Sequence, residues 1–79
     1  METDSALRFV TEEEAQILDA LARCKLPAHS ADLRFVLEMQ YAAHNGLKLM
    51  NTGREAYLRR IAYRYRDRLP PEIRTAAAG

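Results

Sequence analysis

A segment near the end of the chain, residues 54–68, interleaves arginine with tyrosine in a pattern that could bind a polyanion. It holds six arginines and three tyrosines against two carboxylates. On a helix, Arg60, Arg64 and Arg68 would line one edge, and guanidiniums about 6 Å apart can follow a phosphate backbone. Tyrosine beside arginine can stack on exposed bases. The pattern predicts a surface for nucleic acid or an acidic partner, formed by Arg54, Tyr57, Arg59, Arg60, Tyr63, Arg64 and Arg68.

The same segment has a plainer interpretation as the charged outer face of a small helical domain. Arginine is a good helix former, its stem covers apolar surface, and its charge complements the end of a helix dipole. Arginine outnumbers lysine ten to two, and the thirteen alanines favour a GC-rich codon supply as one cause. An intramolecular match to the acidic first helix is a further alternative. The sequence leaves these interpretations open.

Other residues capable of chemistry are isolated from one another. Cys24, His29 and His44 show no spacing typical of a metal site, and no nucleophile lies beside a base. We expect Cys24 to be a small buried side chain, His29 to be solvated, and His44 to cap the end of a helix. The glutamates at 12–14 are typical of a helix start, where they complement the dipole. We therefore expect no enzyme activity, no catalytic residue, no metal and no cofactor.

Length and charge limit what the chain can be. Its 79 residues suffice for one small domain, 1–79, and we expect 1–9 and 75–79 to be flexible. Net charge is +1, but residues 1–40 carry −4 and residues 41–79 carry +5. The lack of a long apolar run excludes a membrane-spanning helix, and the single cysteine favours a reducing compartment, so we expect a cytoplasmic protein without a membrane partner.

Helical periodicity and capping residues predict a small all-α domain of three helices, about 12–25, 31–44 and 53–69, with a short C-terminal turn. Thr11 and Thr52 each begin a T-x-x-E capping box, and Ser30 is a typical N-cap. Gly46 after Asn45 favours a helix stop. No window alternates in the manner of a strand.

The second helix is apolar on two nearly opposite sides. One side carries Leu33, Val36, Leu37 and Tyr41, and the other carries Phe35, Met39 and Ala42. Two flanking helices can cover only one of these sides well, so we expect Phe35, Met39 and Ala42 to form a patch for self-association, giving a homodimer. The alternatives are that Leu7 and Phe9 fold back over the patch, or that a different protein docks there.

Together these features predict a non-catalytic binding protein. Its expected target is nucleic acid, or a machine that processes nucleic acid, contacted through the arginine-rich third helix. The alternative is a small protein–protein adaptor or inhibitor, of the kind encoded by phages or mobile elements, that uses its acidic first helix and apolar second helix.

Overall fold

The computed structural model describes residues 6–73, which form three helices joined by short connectors. These are α1 (Glu12–Arg23), α2 (Ala31–Asn45) and α3 (Thr52–Arg64). A 3-10 turn (Arg66–Arg68) and one further helical turn at 71–73 follow. The described residues contain no strand, which confirms the small all-α domain with a short C-terminal turn. Residues 1–5 and 74–79, and with them most of the segments expected to be flexible, lie outside the described residues.

The first two helices begin where their capping residues predict. Thr11 Oγ1 accepts a hydrogen bond from the backbone N–H of Glu14 at 3.1 Å, and the Thr11 N–H donates to Glu14 Oε1 at 3.0 Å. Ser30 Oγ accepts from the Leu33 N–H at 3.1 Å. After α2, Gly46 has φ 65°, the left-handed conformation that glycine adopts without steric cost.

The third helix begins differently from the prediction, because its N-cap is Asn51 and not Thr52. Asn51 Oδ1 accepts from the Arg54 N–H at 2.8 Å, which places Thr52 at the first helical position. The reciprocal bond that Glu55 was expected to make is replaced by ion pairs to Arg8 and Arg59. The T-x-x-E pattern therefore occurs here without forming a capping box.

The third helix also ends at Arg64, earlier than the expected end near 69. Beyond it, backbone bonds from Arg68 N–H to Tyr65 O and from Leu69 N–H to Arg66 O tighten the chain into a 3-10 turn. Leu69 precedes Pro70 and is extended, as a residue before proline prefers. The Leu69 side chain is buried, so the tightened turn still contributes to the core.

The hydrophobic core lies between the three helices and the connectors. It consists of Ile17, Leu18, Ala20, Leu21, Leu26, Val36, Met39, Met50, Leu58, Ile61, Ala62 and Leu69. At about 25 cal/mol per Å² of buried apolar surface, these side chains are the main favourable contribution to folding.

The expected self-association patch on α2 is wrong, because that side of the helix faces the chain's own core. Met39 and Ala42 are each 1% exposed, and Phe35 packs against the Tyr57 ring with centroids 4.5 Å apart. Of the opposite stripe, Val36 is buried as well, and Leu37 and Tyr41 are left in water. The physical reason for expecting a homodimer through Phe35, Met39 and Ala42 therefore no longer applies.

The segment before α1 runs beside the connector that precedes α3. Arg8 and Met50 form an isolated antiparallel bridge, with backbone N to O distances of 2.7 and 3.0 Å. Leu7 and Phe9 remain about half exposed, and the Lys48 ammonium lies 5.2 Å from the Phe9 ring centroid. The bridge ties this segment to Met50, so Leu7 and Phe9 do not bury themselves over α2.

Arg8 also joins the start of the chain to α1 and α3 through its side chain. Its guanidinium donates to both carboxylate oxygens of Glu14, at 2.9 and 2.8 Å, and to Glu55 at 3.3 Å. Burial alone would raise the pKa of Glu14, but hydrogen bonds from Arg8 and Thr11 outweigh it and lower that pKa. These ion pairs hold the start of α3 against the start of α1.

Candidate functional site

The arginine-rich helix α3 is anchored by one apolar stripe. Leu58, Ile61 and Ala62 are each no more than 1% exposed, and they recur at helical spacing. The opposite side of the helix, which carries Ala56, Arg59, Arg60 and Tyr63, faces solvent. The buried stripe therefore determines which of the candidate side chains can reach a partner.

Two candidate residues, Tyr57 and Arg64, are used inside the fold to hold α3 against α2. The Tyr57 hydroxyl donates to Asp32 Oδ1 at 2.7 Å, and Arg64 pairs with Asp32 Oδ2. Asp32 lies in the first turn of α2 and is 8% exposed, so its charge is compensated where it is buried. The hydrogen bond to Asp32, together with burial, raises the pKa of Tyr57.

Three further candidate arginines also have partners within the chain. Arg54 donates to the backbone oxygen of Leu49, and Arg68 donates to that of Lys25 at 3.2 Å. Arg59 lies 3.1 Å from Glu55, one turn earlier on the same helix, while its side chain remains 44% exposed. The predicted row of Arg60, Arg64 and Arg68 is also broken, because Arg68 lies in the 3-10 turn beyond the end of α3.

Arg60 and Tyr63 remain as candidate side chains directed to solvent. Within residues 6–73, Arg60 makes no ion pair or side-chain hydrogen bond, and Tyr63 is 64% exposed. Arg66 joins them, because its guanidinium carbon lies 4.0 Å from the Tyr63 ring centroid and its Nη1 donates to Tyr63 O at 2.7 Å. Arg66 was part of the segment recognised in the sequence but was not among the predicted site residues. The signal that could have identified it is its position three residues after Tyr63.

These solvent-directed side chains define a surface that we call the basic face, formed by Arg59, Arg60, Tyr63 and Arg66. It carries three guanidiniums and one aromatic ring, and Arg59 is paired with Glu55. The Arg66 guanidinium is held against the ring by cation–π attraction and by a backbone hydrogen bond, so its position is defined before any ligand arrives.

The other residues considered for chemistry lie apart from the basic face. Cys24 is half-buried, and its thiol donates to the backbone oxygens of Ala20 and Arg68 at 3.4 and 3.8 Å. His29 is exposed with φ 65°. The described part of the chain contains no group of three or more histidine, cysteine or acidic side chains that could hold a metal ion.

His44 faces a carboxylate of α1 and does not cap carbonyls as expected. Its Nε2 lies 3.3 Å from Asp19 Oδ1, which also accepts from Gln40 Nε2 at 2.8 Å. The hydrogen bond from Gln40, with a smaller contribution from His44, lowers the pKa of Asp19 despite partial burial. This cluster holds α1 against α2.

Two cavities share no residue with the basic face except Arg59. A depression of about 160 Å³ is lined by Arg8, Glu14, Glu55 and Arg59, whose charges already satisfy one another. A groove of about 390 Å³ lies between α1 and the turn after α3, lined by Ala20, Arg23, Cys24, Arg68 and Pro70. Neither brings together a nucleophile, a base and a group that would orient them.

The fold and the basic face define a small all-α domain with a charged aromatic surface. No protein-family model, no curated protein and no solved structure matches the chain. Within residues 6–73, no helix has the length and apolar character needed to cross a membrane.

Proposed function

We propose that this chain is a non-catalytic binding protein that associates with nucleic acid, alone or within a larger machine, through the basic face. The observation that carries the proposal is the exposed Tyr63 ring with the Arg66 guanidinium 4.0 Å from its centroid and Arg60 within one helical turn. Guanidinium groups bind phosphate oxygens through charged hydrogen bonds, and an aromatic ring supplies a stacking surface.

The distribution of charge supports the same function. Residues 41–79 carry +5 although the whole chain carries only +1. Two buried carboxylates of the acidic half are engaged within the fold: Glu14 pairs with Arg8, and Asp32 pairs with Arg64. A polyanion approaching α3 therefore meets uncompensated positive charge at Arg60.

The test is fluorescence anisotropy with labelled nucleic acid at two salt concentrations. We expect the parent chain to bind at low salt and to weaken as salt rises, because each neutralised phosphate releases a counterion. Arg60→Gln should weaken binding several-fold and lower the salt slope by about one, because one phosphate contact is lost. Glutamine is a comparable helix former, so the circular dichroism spectrum should not change.

Arg34→Gln is the matched control. Arg34 is exposed on α2, so the substitution removes the same charge from a different surface. Equal loss of affinity in Arg34→Gln and Arg60→Gln would contradict the basic face as the binding surface. Substituting Arg60, Arg64 and Arg68 together would be a poor test, because Arg64 and Arg68 also hold the fold together.

A protein–protein adaptor or inhibitor is the second candidate, and it is favoured by two large apolar side chains of α2 that are exposed to solvent. Leu37 and Tyr41 are 49% and 63% exposed and lie one turn apart, and Glu12 and Glu13 are exposed at the start of α1. Such a protein would not change the anisotropy of the labelled nucleic acid at any salt concentration, so the same assay separates the two functions. A cytoplasmic location stays a prediction for both.

A further inference from the structure

We infer that the ligand of the basic face is an unpaired nucleic-acid strand, one of whose bases stacks on the outer side of the Tyr63 ring. This inference rests on the proposed function and specifies its ligand. DNA and RNA single strands share the two groups that matter here, an exposed base and a phosphate backbone.

Tyr63 differs from the other tyrosines of the arginine-rich segment in how its ring is covered. The Tyr57 ring packs on Phe35, and its hydroxyl is held by Asp32. Tyr65 is half-buried and packs against the core. Tyr63 is 64% exposed, so its ring can accept a planar ligand without rearrangement of the fold.

The Arg66 guanidinium prepares this ring for stacking. It lies 4.0 Å from the ring centroid, and its bond to Tyr63 O keeps it close to the ring. With the guanidinium over one side, a base on the other side would complete a three-layer stack of base, tyrosine and arginine. Little side-chain entropy remains to be lost on binding, because Arg66 is already ordered by two contacts.

The position of the arginines fits a strand whose backbone passes beside the stacked base. Arg60 and Arg59 lie three and four residues before Tyr63, so their side chains neighbour the ring on the helix surface. Their guanidiniums can therefore meet the phosphates that flank the stacked nucleotide.

A duplex does not offer this arrangement. Each base in a duplex is covered on both sides by its neighbours, and extracting one costs a few kcal/mol. An unpaired strand exposes base surfaces at much lower cost. Stacking on Tyr63 therefore predicts a preference for single strands, whereas charge alone would favour any polyanion.

The experiment measures binding of four fluorescent probes by anisotropy. Two are single strands of about ten nucleotides with the same sequence, one DNA and one RNA, a length within the range of known single-strand sites. The third is the DNA strand annealed to its complement, and the fourth is an abasic strand of equal length. We expect both single strands to bind more tightly than the duplex and the abasic strand.

Tyr63→Ala should weaken binding of the single strands about tenfold, as expected for loss of one base–aromatic stack, and should leave the abasic strand unaffected. Tyr63→Phe should keep the affinity, because the ring remains. Tyr41→Ala is the matched control, since Tyr41 is 63% exposed on α2 and its loss should not change binding. Both Tyr63 and Tyr41 are exposed, so neither alanine variant should unfold the domain.

Tyrosine fluorescence gives an independent measurement. The chain has four tyrosines and no tryptophan, so a base stacked on Tyr63 should quench part of the intrinsic emission on binding. Tyr63→Phe should abolish that part of the quenching while binding persists, which assigns the quenched emission to Tyr63.

The results distinguish failure of this inference from failure of the proposed function. If Tyr63→Ala and Tyr41→Ala bind single strands equally while Arg60→Gln still weakens binding, the base stack is refuted and polyanion binding stands. Equal affinity of the parent chain for the single, duplex and abasic probes refutes the stack in the same way. If no probe binds at low salt, both proposals fail.

Discussion

Replacing Glu14 by glutamine tests whether Arg8 and its carboxylates hold the first and third helices together. Glu14 is 7% exposed and receives two hydrogen bonds from Arg8 and one from the Thr11 N–H. Glutamine keeps one acceptor oxygen for the cap but presents an amide group to the Arg8 guanidinium. The change therefore removes a charge-assisted hydrogen bond while leaving the shape of the side chain almost unaltered.

The expected loss of stability follows from that geometry. A hydrogen bond to a charged group contributes about 1.5–3 kcal/mol, but the Arg8 side chain is 39% exposed, so solvent screens part of it. We expect Glu14→Gln to lower the free energy of unfolding by about 1–2 kcal/mol near neutral pH. In a domain of this size, that corresponds to a decrease in Tm of about 5–15 °C.

The pH dependence adds a second criterion. The folded state lowers the pKa of Glu14 below its ordinary value of 4.5, and that of Asp19 below 3.8. Both groups therefore contribute stability that is complete above these values and is lost as the pH falls through the lower folded pKa. The difference in stability between the parent and Glu14→Gln should thus narrow as the pH falls below about 4, because the parent then loses the charge that the variant lacks.

Thermal unfolding followed by circular dichroism measures both effects. Glu12→Gln is the control, because Glu12 lies in the same first turn and is exposed, so its loss should cost only about 0.3 kcal/mol through the helix dipole. If Glu14→Gln and Glu12→Gln have the same Tm at neutral pH, the contribution assigned to the Arg8 ion pairs is refuted. A difference from the parent that does not change on acidification would refute the assigned titration.

Two further predictions concern the third helix. Asn51→Ala should lower the free energy of unfolding by about 1 kcal/mol, because it removes the N-cap acceptor, whereas Thr52→Ala should have almost no effect. Equal losses of stability for the two variants in chemical denaturation would contradict Asn51 as the N-cap. Tyr57→Phe should lower the free energy of unfolding by about 1 kcal/mol, because it removes the hydroxyl that donates to the buried Asp32 carboxylate. A double-mutant cycle with Arg64→Gln should show coupling between Tyr57 and Arg64, the two partners of Asp32. Additive losses in that cycle would mean that the two partners act independently.

The parts of the fold that could be predicted from the sequence are those determined within one helical turn. A cap at Thr11 or Ser30 needs only a side-chain oxygen and an N–H three residues later. A stop at Gly46 needs only tolerance of positive φ. The start of α3 could not be predicted because Asn51 and Thr52 are adjacent residues that can both cap a helix. The choice between them depends on Glu55, which pairs with Arg8 and Arg59 and does not form a capping box with Thr52.

The orientation of α2 could not be obtained from periodicity, because both of its sides are apolar. Long-range contacts make the choice: Asp32 binds Tyr57 and Arg64, and Phe35 packs on Tyr57. These interactions turn the side with Met39 inward and leave Tyr41 in water. A helix with two apolar stripes thus requires knowledge of its polar partners before its buried side can be assigned.

The candidate site shows why the number of arginines is a poor guide to function. Arg64 pairs with the Asp32 carboxylate, and Arg54 donates to the backbone oxygen of Leu49. These two guanidiniums would therefore be needed for folding even in a protein without a ligand. Arg60 has no such role within residues 6–73, and the exposed Tyr63 ring beside Arg66 adds nothing to the buried core. Burial in the core does not account for either Arg60 or Tyr63, because both side chains lie in water. The structural basis for assigning function to the basic face is therefore Arg60 and Tyr63, the two predicted residues that the fold itself does not use.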